Sequence, residues 1–304
     1  MPTTDIRILL IMTFVSLVVK KSVRVNLKLF SLFIAILFFV SGCRNSTQLP
    51  THDLSSEERV WMEAFFTGMM LQNRAIYTLC GSKPVTCIAL NYYTDEEIQA
   101  YYDQMTEEEK RTAIYVEEYQ LEQNWEKWER IRSHFPISRF IVYKKNDATD
   151  PKYARIYFVD PLKVANVMSE NYSIFKDIAG FDFDPFNEAA QIEKGSIFWD
   201  RVENNPIVSG LLFGFGLKNS LKFYWEHWGQ PEDAEEFVDC IAPRASDSLT
   251  DGKSNLENLT VPGFMSFFEN DEVIEKYKKE REAIRAEYQG KDFLDYTLQK
   301  LTSQ

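Results

Sequence analysis

Hydrophobic positions along this 304-residue chain fall into three regimes. Residues 8–19 ("ILLIMTFVSLVV") and 29–40 ("LFSLFIAILFFV") are continuous apolar blocks of 12 residues each, separated by Lys20, Lys21, Arg24 and Lys28. Both are shorter than the ~20 residues that a membrane-spanning helix needs. The stretch "RNSTQLPTHDLSS" that follows Cys43 is polar and has no apolar period, the composition of a tether. Beyond it apolar residues recur at helical spacing, with a change of period between residues 137 and 160.

The helical regime carries its own start and stop signals. Leu54, Ser55 and Glu58 predict a hydrophobic staple and capping box, followed by a stripe of Trp61, Phe65, Met69 and Ile76 and a stop at Gly81. Thr94 with Glu97, and Thr106 with Glu109, repeat the capping logic. The second pair predicts a helix carrying Ile114, Leu121, Trp125, Trp128 and Ile131 up to Pro136. "ISRFIVYKK" and "YARIYFVD" are then β-branched and aromatic runs around the turn-like "NDATDP", an antiparallel hairpin. Pro161 suits the first turn of a further helix. The almost uncharged stretch 204–228 predicts a helix at the middle of the core, broken around Gly214 and Gly216. Residues 242–263 read as a loop, either an ordered lid or a surface excursion. Val273, Tyr277, Ile284 and Tyr288 share one face of a charged helix, and Leu294, Leu298 and Leu301 mark a terminal docking helix. The expected fold class is therefore α+β: a predominantly helical single domain over 55–304 with a small antiparallel β-hairpin near 137–160, preceded by a leader (1–42) and a tether (43–54).

Charge narrows the partners. From Cys43 onward 45 acidic side chains face 29 basic ones, a balance that phosphate backbones repel, so nucleic acid is not an expected partner.

The second apolar block, with cations before it and small Ser41 and Gly42 after it, has the proportions of a signal-peptide core. Val40-Ser41-Gly42-Cys43 resembles the lipobox of bacterial lipoproteins, with Val40 where leucine is usual. That resemblance implies that Cys43 receives diacylglycerol, with acyl chains such as palmitate, and that the leader is then cut away before it. It also implies a mature protein held by lipid at the bacterial envelope, facing an extracytoplasmic compartment. The first block leaves two alternatives open, a start nearer the second block or an uncleaved anchor. In the body, "GSKPV" (81–85) and "LLFGFGLKNS" (211–220) are similar to envelope-associated proteins of Chlamydiae-like intracellular bacteria, a resemblance that carries no activity with it.

Candidate chemistry is sparse. Cys80 and Cys87 flank "GSKPVT" closely enough to form a disulfide in an oxidising compartment, or they are buried thiols. The histidines are His52, His134 and His227, with no HExxH and no Cys/His cluster, so no metal is expected. Gly210, Gly214 and Gly216 lack GxGxxG spacing and fit close packing better than a nucleotide cofactor. Asp182, Asp184 and His227 are the polar participants open to an extracytoplasmic hydrolase, although an Asp before Pro185 equally serves as a helix cap. The function these features favour is a lipid-anchored binding or structural protein, non-enzymatic, with an envelope protein or peptidoglycan as partner. The alternative is a hydrolase with a carboxylate- or histidine-containing cleft.

Overall fold

The computed structural model describes residues 54–92, 94–107, 121–229, 242–247 and 254–303. The leader, Cys43, His52, the Glu109 and Ile114 of the helix expected from Thr106, and Cys240 lie outside the described residues.

Helix α1 (Ser56–Phe66) opens on the expected capping box: Ser55 Oγ accepts from the Glu58 amide at 3.2 Å, and the Glu58 carboxylate accepts from the Ser55 amide at 2.8 Å. It continues into a π-helical turn, Thr67–Gln72, and a short α2 (Ile76–Leu79). Phe65, Met69 and Ile76 are buried as their spacing predicts, while Trp61 packs only at the edge of the core. Between turn and helix, Arg74 adopts a left-handed φ of 59°. Its guanidinium holds that conformation by donating to Gln72 O at 2.8 Å and to Thr260 Oγ1 at 3.0 Å.

The chain then forms β1 (Val85–Asn91). Helix α3 (Asp95–Gln104) follows behind the Thr94–Glu97 capping box, and α4 (Leu121–Ile131) buries Trp125 and Trp128 on one face. The expected hairpin is β2 (Ile141–Asn146) and β3 (Tyr153–Val159), turned by Asp147, whose Oδ1 accepts from the Thr149 amide at 2.8 Å and the Asp150 amide at 3.2 Å. β1 pairs antiparallel on the other side of β3, giving a three-stranded sheet in the order β1-β3-β2.

Alternation across this sheet sorts the core into two clusters. Ile88 and Leu90 of β1, with Ala154, Ile156 and Phe158 of β3, face α1, α2 and α4. The opposite face carries Val85 and Val159 over five short helices: α5 (Pro161–Glu170), α6 (Tyr172–Ala179), α7 (Pro185–Ala190), α8 (Ile197–Val202) and α9 (Pro206–Leu212). Asp160, Asp184, Ser196 and Asn205 cap four of these helices, and Pro161, Pro185 and Pro206 occupy first-turn positions.

The break expected in residues 204–228 falls between α9 and α10 (Leu217–Trp228), at Gly214 and Gly216 with φ of 78° and 80°. The segment is not the middle of the core, however. α9 sends Val208, Leu211 and Leu212 into the second cluster, whereas α10 fully buries only Asn219 and Ser220 and leaves Trp228 59% exposed. The glycine turn folds α10 back across α9, so its aromatic face lies at the periphery. The two helices touch at Gly210, where an added Cβ would stand 2.3 Å from Ser220 Oγ. Gly210→Ala is therefore expected to destabilise the fold by about 1–3 kcal/mol in urea denaturation, with Gly210→Ala/Ser220→Gly recovering most of the loss. Full stability of the single variant would show that the contact is not tight.

The 242–263 segment is ordered where described. β4 (Arg244–Ala245) pairs with β5 (Met265–Ser266), and Leu259, Val261 and Phe264 enter the first core cluster. Tyr77 Oη donates to Thr260 O at 3.1 Å, and Arg285 Nε donates to Leu256 O at 2.9 Å, fastening this strap to two helices. α11 (Glu272–Tyr288) and α12 (Phe293–Thr302) close the fold. Tyr277, Ile284, Tyr288, Leu294, Leu298 and Leu301 are buried as predicted, with Ile274 buried where Val273 was expected to lead. No described helix is long and apolar enough to cross a membrane. All described residues belong to one compact unit, Leu49–Gln304.

Candidate functional site

The residues singled out for hydrolysis are each engaged in local structure. Asp184 Oδ1 accepts from the Phe186 amide at 2.9 Å and the Asn187 amide at 3.2 Å, the N-cap of α7. Asp182 is exposed, paired with Lys176 at 2.8 Å and accepting from Tyr172 Oη at 3.0 Å. The hydrogen bond from Lys176, with a smaller one from Tyr172, holds its carboxyl below the usual carboxylate range. His227 is exposed in the last turn of α10, with Nδ1 2.9 Å from Phe223 O and its ring stacked on Phe223. Their surroundings supply caps and surface contacts.

Cys80 and Cys87 both carry free thiols, so the disulfide considered for them is not formed. Strand alternation separates them. Thr78 and Thr86 hydroxyls meet at 2.8 Å, which fixes α2 on the even-numbered face of β1, and Cys87 points to the other face. Burial pushes the Cys80 thiol up to about 11, and it raises Cys87 as well, where the Tyr157 hydroxyl is a neighbour. Among the described residues no group of three His, Cys, Asp or Glu side chains is placed to hold a metal ion.

A groove of about 290 Å³ opens where the second-cluster helices part from the sheet. Its floor is built by register: Tyr157 of β3 and Tyr143 of β2 stand opposite each other, and their rings stack at 5.1 Å and 14°. Trp199 and Phe213 supply further apolar surface, with the indole oriented by donation from its Nε1 to Glu188 O at 2.9 Å. Charged groups arrive from β2 (Lys144, Lys145), from the turn before α8 (Glu193, Lys194) and from the α8 region (Asp200, Glu203). Lys145 and Glu203 pair at 2.5 Å across the groove. Burial raises the pKa of both Tyr143 and Tyr157, so their phenols stay protonated and act as donors. Sequence reading missed this site because its lining comes from five separated segments. The available signal was Tyr143 and Tyr157 at equal distances from the hairpin turn.

Behind the groove, the two segments that carried the envelope-protein resemblance pack together. A Cβ on Gly214 would lie 3.4 Å from Pro84 Cδ and 3.5 Å from Lys83 Cγ. Lys83 is only 7% exposed, and no ion pair to its ammonium occurs among the described residues. Burial, with added repulsion from Arg74, brings its pKa down to about 8.

Comparison with protein-family models, with curated proteins and with solved structures gives no match to this chain.

Proposed function

We propose that this chain is a lipid-anchored protein of a bacterial envelope that binds a small ligand without transforming it, using the groove between the sheet and α8. The groove carries the binding half of this reading. It combines a stacked tyrosine floor, a fixed indole and a few polar groups, the make-up of small-molecule sites. Its closest ionic pair, Lys145 with Glu203, is mutually neutralised, and its partly buried phenols are donors rather than bases. The anchoring half rests on the Val40-Ser41-Gly42-Cys43 motif behind its apolar block.

Two measurements test the halves separately. Intact-mass analysis of the protein expressed with its leader in a lipoprotein-processing bacterium is expected to give a chain beginning at Cys43 with added acyl mass, and Cys43→Ala should abolish that species. Retention of residues 1–42 without acylation would remove the lipid anchor and leave the uncleaved leader as the alternative. For the groove, NMR titration with amino acids, short peptides and amino sugars should move the signals of Tyr143, Tyr157 and Trp199 and return each ligand unaltered. Conversion of any of them to product would replace binding by catalysis.

A further inference from the structure

We infer that the groove selects a small zwitterion, a peptide-like molecule presenting a free carboxylate and a free ammonium, an inference that rests on the groove being the binding surface. Three lysines and three carboxylates line it, within a body whose overall balance is strongly acidic. Half of these charges are already engaged. Lys144 Nζ lies over the Tyr92 ring and donates to its hydroxyl at 3.2 Å, and Lys145 is paired with Glu203. Glu193, Lys194 and Asp200 are exposed at the groove, and neither their side chains nor the Tyr143 hydroxyl makes a hydrogen bond or ion pair among the described residues.

These unengaged groups define complementary halves of a ligand. Lys194 and the Tyr143 hydroxyl are donors and call for an anionic acceptor, while Glu193 and Asp200 call for a cation. A dianion would bring charge against two carboxylates, and a dication would leave Lys194 without an anion. One molecule with both signs, separated by a short apolar body lying on the tyrosine stack, Trp199 and Phe213, meets all of them. The volume, about 290 Å³, is at the small end of the ~300–1,000 Å³ typical of ligand pockets, which limits the ligand to dipeptide size.

The test uses the full chain in detergent micelles, titrated calorimetrically with the dipeptide Ala-Leu, its N-acetyl form, its C-terminal amide, putrescine and diacetylchitobiose. Ala-Leu is expected to bind, and blocking either end should weaken binding about tenfold or more. Lys194→Ala should shrink the preference for Ala-Leu over its amide severalfold, with the Tyr143 hydroxyl left as the remaining donor to the carboxylate, and Lys194→Ala/Tyr143→Phe should bind the two equally. Asp200→Asn should reduce the preference for the free amino end over the N-acetyl form, and Glu193→Gln/Asp200→Asn should lose it. Equal binding of Ala-Leu and its amide by the wild-type protein, or binding of putrescine as tight as Ala-Leu, would overturn the inference. Binding of diacetylchitobiose alone, with Tyr143 signals shifting, would overturn the ligand class and leave the groove as a binding site. Failure of every compound here and of every ligand in the wider NMR titration to perturb the groove would remove both readings.

Discussion

Replacing Lys83 by methionine is expected to stabilise the fold by about 1–3 kcal/mol at neutral pH, against the usual direction of a core substitution. The side chain is 7% exposed, its stem packs against the Gly214 turn, and burial and Arg74 both disfavour its charge. The drop from the ordinary 10.5 to about 8 corresponds to about 3 kcal/mol of penalty for holding the ammonium inside the fold. Methionine keeps an unbranched stem of similar length and carries no charge to desolvate.

The pH dependence gives the diagnostic sign. With a folded pKa of about 8 below the unfolded 10.5, the unfolded chain binds more protons between these values, so the Lys83 contribution to stability rises with pH across that window. The penalty is fully present below pH 8 and is relieved by about pH 10.5. Urea denaturation at pH 7 and pH 10 should therefore show Lys83→Met well ahead of wild type at the lower pH and close to it at the higher. A variant that is destabilised at pH 7, with the wild-type pH slope, would mean that the ammonium has a compensating partner.

How far the fold can be read from the sequence depends on where the deciding residues lie. Ser55 with Glu58, Thr94 with Glu97 and Asp184 before Pro185 are decided within four residues, and each forms as expected. The β2–β3 hairpin is equally local, because Asp147 sets its turn. β1 has no such local reason: "VTCIALN" becomes a strand by pairing with Tyr153–Val159, far along the chain. Missing that strand made a Cys80–Cys87 bridge plausible, since only the strand's alternation sends the two thiols to different faces. The segment 204–228 was apolar enough for a core helix, but two left-handed glycines turn α10 to the outside. The Asp182/Asp184 pair was legible as a motif, yet each carboxylate is consumed by its nearest neighbours. The groove needs Tyr143, Lys194 and Phe213 brought together by sheet register and helix packing, which no contiguous motif encodes.

Asp160→Ala is expected to cost about 2–4 kcal/mol, because it removes a buried helix cap and the anion of an ionic cluster whose cations, Arg139 and Lys163, are 49% and 20% exposed. The Asp160 side chain is 1% exposed, and its Oδ2 accepts from Arg139 Nη2 at 3.0 Å and lies 3.2 Å from Lys163 Nζ. Oδ1 caps α5 by accepting from the Lys163 amide at 3.3 Å. Lys163 Nζ also donates to Thr78 O at 2.5 Å, and desolvation already lowers its pKa against the attraction of Asp160. Without Asp160 that ammonium keeps a single carbonyl partner and remains near the Arg139 cation. Asp160→Asn keeps a capping oxygen and should lose less than alanine. The cluster also bridges the two halves of the core: α5 belongs to the face beneath the groove, while Thr78 belongs to α2 on the other side of the sheet. The Asp160 amide donates to Pro84 O at 3.0 Å, extending the β1–β3 ladder toward the Gly214 turn. A double-mutant cycle separates the ionic share from the rest: Asp160→Ala/Lys163→Met should recover part of the single-variant loss, with a coupling of about 1–3 kcal/mol. Strict additivity would assign the loss to the helix cap and the ladder, and leave the ion pair with no net role in joining the two faces.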